Sequence, residues 1–276
     1  MSALRTPVAR PLAAALLLAL AAPLSAAGQQ PAPAVPPGLS WTDLADLTLL
    51  SPVILRATID RTERLSRRLA PDVPEGSVRV LVAARLVGVL KADGLVPGRA
   101  EWLWQGARAG APARGADVLL FATPSSGDAR SEVGQYRLTT ARAQLPWSDA
   151  AEREVRAILS EARAPGGVPR FRAVKGGFHV PGAIAGESES QFFVDIGVPV
   201  TIVVLRHAGA APEVKLATGD IIDESAAPVS PRTLLWRTLA CDAPQALPDD
   251  VGTDPALKAD WAAAKESLGP CGRTGG

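Results

Sequence analysis

The stretch RVLVAARLVGVLKADG, residues 79–94, decides how the first half of the chain is read. With Val78 in front of it, Val80, Val82, Ala84 and Leu86 line one face of a strand, and Arg79 and Arg85 mark the other. Lys91-Ala-Asp-Gly94 supplies the turn that ends it. On the N-terminal side, Pro52 to Asp60 keeps the same period: Val53, Leu55, Ala57 and Ile59 oppose Ile54, Arg56, Thr58 and Asp60. On the C-terminal side, Arg99 to Gln105 carries Trp102 and Trp104 at one parity. After a Gly/Ala/Pro/Arg loop from 106 to 115, Asp117 to Ala122 is apolar throughout, as in a strand covered on both faces. Gln135 to Thr140, with the only tyrosine, reads as a fifth strand. A helix follows, opened by Asp149 with Glu152, carried by Ala151, Val155, Ile158, Leu159 and Ala162, and stopped by Ala164-Pro-Gly-Gly167.

Five strands and a trailing helix with one apolar stripe give the element order of a small Greek-key barrel, the architecture of the oligonucleotide/oligosaccharide-binding (OB) fold. The order of strand one, then RVLVAARLVGVLKADG, then a Trp-bearing strand, then GADVLLFA resembles the netrin-module or tissue-inhibitor-of-metalloproteinase-like variant of that fold, over about Ser51 to Ala164. In the inhibitor branch of the family, a cysteine at the mature N-terminus chelates the protease zinc. This sequence has no cysteine before Cys241, so the resemblance implies a fold and no inhibitory residue.

Working outward, Ser40 with Asp43, Leu44, Leu47 and Leu50 reads as a short capped helix before the barrel. Residues 28–39 form a Pro/Ala linker, and residues 1–27 have the pattern of a secretory signal. Arg5 and Arg10 precede an apolar run from Leu12 to Ala22, and Ser25-Ala-Ala27 is a small-residue cleavage site. Removal of the two arginines takes the formal net charge from +1 to −1. Such a balanced charge leaves no field to track phosphates, so nucleic acid is excluded as a main partner. After the signal, no segment has the length for membrane insertion.

Beyond Gly166-Gly167, the expected second domain spans 168–276. Candidate strands at Arg170 to Val174, Ser188 to Ile196, Pro199 to Arg206 and Glu213 to Ile222 make an antiparallel meander, covered by C-terminal helices. Ser230-Pro231 starts a helix over 232–240, a segment that TLLWRTL also permits as a strand. Asp254-Pro255 starts another, with Leu257, Trp261, Ala264 and Leu268 at helical spacing. The chain's two cysteines, Cys241 and Cys271, pair as a disulfide in an oxidising compartment. The fold class is therefore mainly β with packing helices: a five-stranded OB-like barrel with a trailing helix, then a meander domain under disulfide-linked helices.

The candidate chemistry centres on residues 176–195, GGFHVPGAIAGESESQFFVD. If 188–195 is a strand, Glu187, Glu189 and Gln191 share one face, and a glycine-rich loop before it can bring His179 to the two glutamates. Imidazole with carboxylates is a metal-ligand set, and paired carboxylates also serve hydrolysis. Trp102 and Trp104, with Gln191, are the candidates for a binding surface; their common parity more often marks a barrel core. His207 and the acids Asp220, Asp223 and Glu224 have the ordinary reading of solvated strand ends. No cofactor motif is present. The expectation is a periplasmic or secreted binding module of the cell envelope, taking a protein partner or a small polar ligand. The alternative is a hydrolase or metal-dependent enzyme at His179, Glu187 and Glu189.

Overall fold

Two long strands carry the architecture. In the computed structural model, which describes residues 38–125, 133–218 and 226–274, β1 (Val53–Arg64) and β2 (Ser77–Lys91) run antiparallel. Register shifts at Ile54/Leu55, Arg56/Ala57 and Ile59/Arg61 break the pairing. Each shift adds local twist, which curls the ribbon enough to close. β3 (Arg99–Ala107) pairs with β2, β5 (Val133–Leu138) lies parallel to β3, and β4 (Asp117–Pro124) joins β5 to β1. The closed order is β1-β2-β3-β5-β4, with the short β6 (Gln144–Pro146) continuing beside β4. The barrel is thus five-stranded and OB-like, as the alternation of its strands implies.

Period two sorts the side chains. Val53, Leu55, Ala57 and Ile59 of β1 fill the barrel with Val80, Val82, Leu120 and Tyr136, while Ile54, Leu119 and Phe121 point outward under two helices. That second layer explains why β4 is apolar on both faces. α1 (Trp41–Leu50) starts with a capping box in which Ser40 and Asp43 bond each other's backbone N–H. α2 (Asp149–Arg163) lays Ala151, Val155, Ile158 and Leu159 on the barrel, each large side chain contributing about 1.5–3 kcal/mol by burial. Its cap differs from the expected Asp149–Glu152 pair: Ser148 accepts from Ala151 N. Glu152 accepts instead from Trp147 Nε1 at 2.8 Å and from Arg156. The Trp147 bond, then those to Arg156 and the nearby Arg56 charge, outweigh burial and hold its carboxyl below the ordinary range.

The second sheet has the order β10-β9-β8-β7 and is antiparallel throughout: β7 (Ala173–Pro181), β8 (Ser188–Asp195), β9 (Pro199–Arg206) and β10 (Glu213–Thr218). β7 extends well past the expected 170–174, as an edge strand with a register shift between Val174 and Gly176. Two of the glycines that suggested a loop, Gly176 and Gly177, lie inside it, and the second is needed there. A Cβ on Gly177 would lie 3.0 Å from the Gln191 carbonyl and 3.1 Å from the Phe192 ring. The far end of the expected strand at 213–222 lies outside the described residues.

α4 (Pro255–Leu268) covers this sheet from the Asp254 cap onward, seating Trp261 edge-on against Phe192 with ring centroids 5.1 Å apart. The segment expected as one helix over 232–240 is instead α3 (Leu234–Arg237) followed by a single wide turn, Thr238–Asp242. The carbonyls that turn leaves open are satisfied by one cation. Lys265 Nζ donates to Leu239, Ala240 and Ala243 at 2.7, 3.1 and 3.1 Å, and burial pushes its ammonium below the ordinary lysine value. Leu234 returns to the core under α1 and α2.

Cys241 and Cys271 are bonded. The bridge places the last described residues against α1. Thr42 Oγ1 donates to the Cys271 carbonyl at 2.7 Å, and Thr274 donates from N and Oγ1 to the two Asp43 oxygens at 3.0 and 2.7 Å. Arg237 and Arg273 both pair with Asp46. No helix among the described residues is long and apolar enough to cross a membrane.

Candidate functional site

Cross-strand pairing decides where each candidate points. His179 pairs with Ser190, and Ser190 with Val204, so the imidazole and the hydroxyl share the face that α4 covers. Arg206, opposite Ser188, lies two residues further along the same face. Above them, α4 presents Asp260, the residue before Trp261, into the gap. These four side chains come from three strands and a helix.

Their bonds converge on the carboxylate. Ser190 Oγ donates to Asp260 Oδ2 at 2.5 Å, and Arg206 Nε donates to Oδ1 at 2.5 Å. His179 Nδ1 lies 2.9 Å from Ser190 Oγ and 3.3 Å from Asp260 Oδ2, so both acceptors favour the tautomer with its proton on Nδ1. Asp260 is 1 % exposed and Ser190 0 %. A buried carboxylate is tolerable only when its lone pairs are taken in this way. The guanidinium side chain, 36 % exposed, reaches from the junction to the surface.

Next to the junction is an open hollow of about 390 Å³, where His179, Arg206, Ser188 and Glu187 meet Ala256 and Ala259 of the first turns of α4. Among the described residues, His179 Nε2 and the two terminal nitrogens of Arg206 have no protein partner. The Glu187 carboxylate has none either, although it lines the same hollow as the arginine.

Of the three residues expected to meet, His179 and Glu187 share the rim of this hollow. Glu189 is on the opposite face, where it pairs with Val180 and Leu205 and accepts from Gln191 Nε2 at 2.6 Å. The reason is the strand at β7: a loop would have left His179 free to swing, whereas antiparallel register fixes it opposite Ser190. Among the described residues, no three His, Cys, Asp or Glu side chains gather as a metal ion would require.

Trp102 is 2 % exposed inside the barrel and donates from Nε1 to Gln144 at 2.7 Å. Trp104 is half-buried against the same core, its ring so close over Gly106 that a Cβ there would be 2.7 Å away. Gln191 lies on the other sheet, far along the chain. His207 is exposed in the turn after β9. Asp220, Asp223 and Glu224 lie outside the described residues.

The residue that sequence reasoning missed is Asp260. It stands three positions after Leu257 and four before Ala264, inside the apolar stripe of α4, and a carboxylate at such a position needs a partner. Arg206 was read only as the end of a strand. With this geometry in view, comparison with known proteins adds no identity: no family model matches the chain, and no curated protein matches it.

Proposed function

We propose that this is an exported component of the cell envelope that acts by binding a small polar ligand in the hollow beside Asp260, without catalysis. Export is supported by the leader-like pattern of residues 1–27 and by the Cys241–Cys271 bridge, which suits an oxidising compartment. The observation that carries the binding reading is the burial of Ser190. Serine, histidine and aspartate are the composition of a catalytic triad, but the order is wrong for one. A nucleophilic serine must be open to substrate and bonded to a histidine whose other nitrogen holds the acid. Here Ser190 is sealed in and donates to Asp260, and the hydroxyl and the carboxylate both engage the same nitrogen, Nδ1. What remains for a ligand is a set of hydrogen-bonding groups on a rigid frame: Nε2, the outer guanidinium nitrogens, Ser188 and Glu187.

The oxidised protein, incubated with a small-molecule extract of envelope material and examined by native mass spectrometry, is expected to retain one ligand at one equivalent. A parallel screen of generic esterase, glycosidase and peptidase substrates is expected to give no turnover. Reproducible turnover abolished by Glu187→Gln or His179→Gln would overturn the reading in favour of the hydrolase.

A further inference from the structure

We infer that the ligand of this hollow is a small zwitterion, bearing an ammonium and a carboxylate a few ångströms apart, as in an α-amino acid or a short peptide. The inference rests on the binding reading above and deepens it. Its basis is two opposite charges that line one cavity without neutralising each other. Arg206 spends only Nε on Asp260 and keeps its two terminal nitrogens, the fork that recognises a carboxylate. Glu187 faces the same space, makes no ion pair among the described residues, and offers an acceptor to an ammonium group.

Charge balance alone would favour a cation, and it is the unused guanidinium fork that adds the demand for a carboxylate. Asp260 already offsets Arg206, so with a neutral imidazole the hollow carries the unpaired charge of Glu187. A purely anionic ligand would reach the guanidinium but meet Glu187 and Asp260 behind it. A purely cationic one would pair with Glu187 and leave the guanidinium fork unused. A zwitterion meets both and leaves the sum unchanged, with His179 Nε2, the nitrogen without a proton, placed to accept from the ammonium or a peptide N–H. The hollow, at about 390 Å³, has room for a residue or two.

The test is an NMR titration of the full-length oxidised protein with three matched sets: free α-amino acids and di- and tripeptides, their N-acetyl derivatives, and their C-terminal amides. Free forms are expected to shift the His179 ring, the Arg206 side chain and the amides of Ser188 and Ala256, with either blocked form at least about tenfold weaker. Glu187→Gln, at a surface turn, is expected to bring free and N-acetylated ligands to within about threefold of each other. Arg206→Lys, which keeps the charge beside Asp260, is expected to do the same for free acids and their amides. Whether single amino acids or peptides bind best identifies the source.

Equal binding of blocked and free forms overturns the inference while leaving a binding site in place. So does the absence of any shift in the hollow up to about 10 mM ligand, where millimolar affinity would be plain. The binding reading fails separately, if no envelope small molecule is retained at all.

Discussion

Replacing Asp260 by alanine removes the one acceptor on which Ser190, His179 and Arg206 converge, and its cost can be worked from those contacts. Ser190 is sealed from solvent, so its hydroxyl loses a charge-assisted bond with no water to replace it, about 1–3 kcal/mol. Arg206 is 36 % exposed, so its ion pair is screened and discounted to about 1 kcal/mol or less. His179, 16 % exposed and still in reach of Ser190, loses the longer of its two contacts and contributes less again. The sum is about 2–4 kcal/mol. With a urea dependence near 3 kcal/mol per molar, the unfolding midpoint should fall by about 1 M. Ser190→Ala removes a single neutral hydroxyl and lets the imidazole face the carboxylate directly, so it should cost about 1 kcal/mol. The imidazole nitrogen shifts provide a second readout, because Asp260→Ala removes the carboxylate that favours the proton on Nδ1. A loss below about 1 kcal/mol for Asp260→Ala, or one smaller than that of Ser190→Ala, would show that the carboxylate is not the junction.

Further outcomes follow from other contacts. Gly177→Ala should destabilise by about 1–3 kcal/mol, because the new methyl meets the Gln191 carbonyl and the Phe192 ring with Leu257 of α4 above it; an unchanged melting temperature would mean β7 does not lie this close. Opening the 30-residue separation between Cys241 and Cys271 by a double serine substitution should cost about 3–4 kcal/mol on the chain-entropy account, and two titratable thiols in the native oxidised protein would remove the premise. Asp43 is raised by burial but lowered more by its bonds from Ser40 and Thr274, so its folded value lies below 3.8. Its contribution is therefore complete above about pH 3.8 and lost as pH falls through the folded value; protection of the Thr274 amide should vanish in that acid window and already be absent at neutral pH in Asp43→Ala, which removes the acceptor.

The barrel was legible because its strands alternate: Val53, Leu55, Ala57 and Ile59 fill the interior, while Ile54 between them meets the helices. β7 was not, because the local signal and the tertiary demand conflict. Gly176, Gly177 and Pro181 are poor strand residues on propensity, and only the approach of β8 and α4 gives Gly177 a reason to be there. That single misreading moved His179 to the wrong face. Glu189 keeps the parity expected of it in β8, but Glu187 precedes the strand and turns to the rim of the hollow, so the expected pair is split between the two faces. Asp260 and Lys265 were visible as polar residues on the covered side of α4. Their partners lie 54 to 81 residues away for the first and 22 to 26 for the second, too remote for periodicity to connect.

The seam between α1 and residues 271–274 joins positions 229 to 231 apart in sequence. A chain emerging from its N-terminus can assemble the barrel hairpins as they appear, but this seam closes only once residues 271–274 have joined them. Closure of the fold around the first helix thus waits on residues 271–274. A product truncated before Cys271 would leave this seam open and expose the first helix to proteolysis.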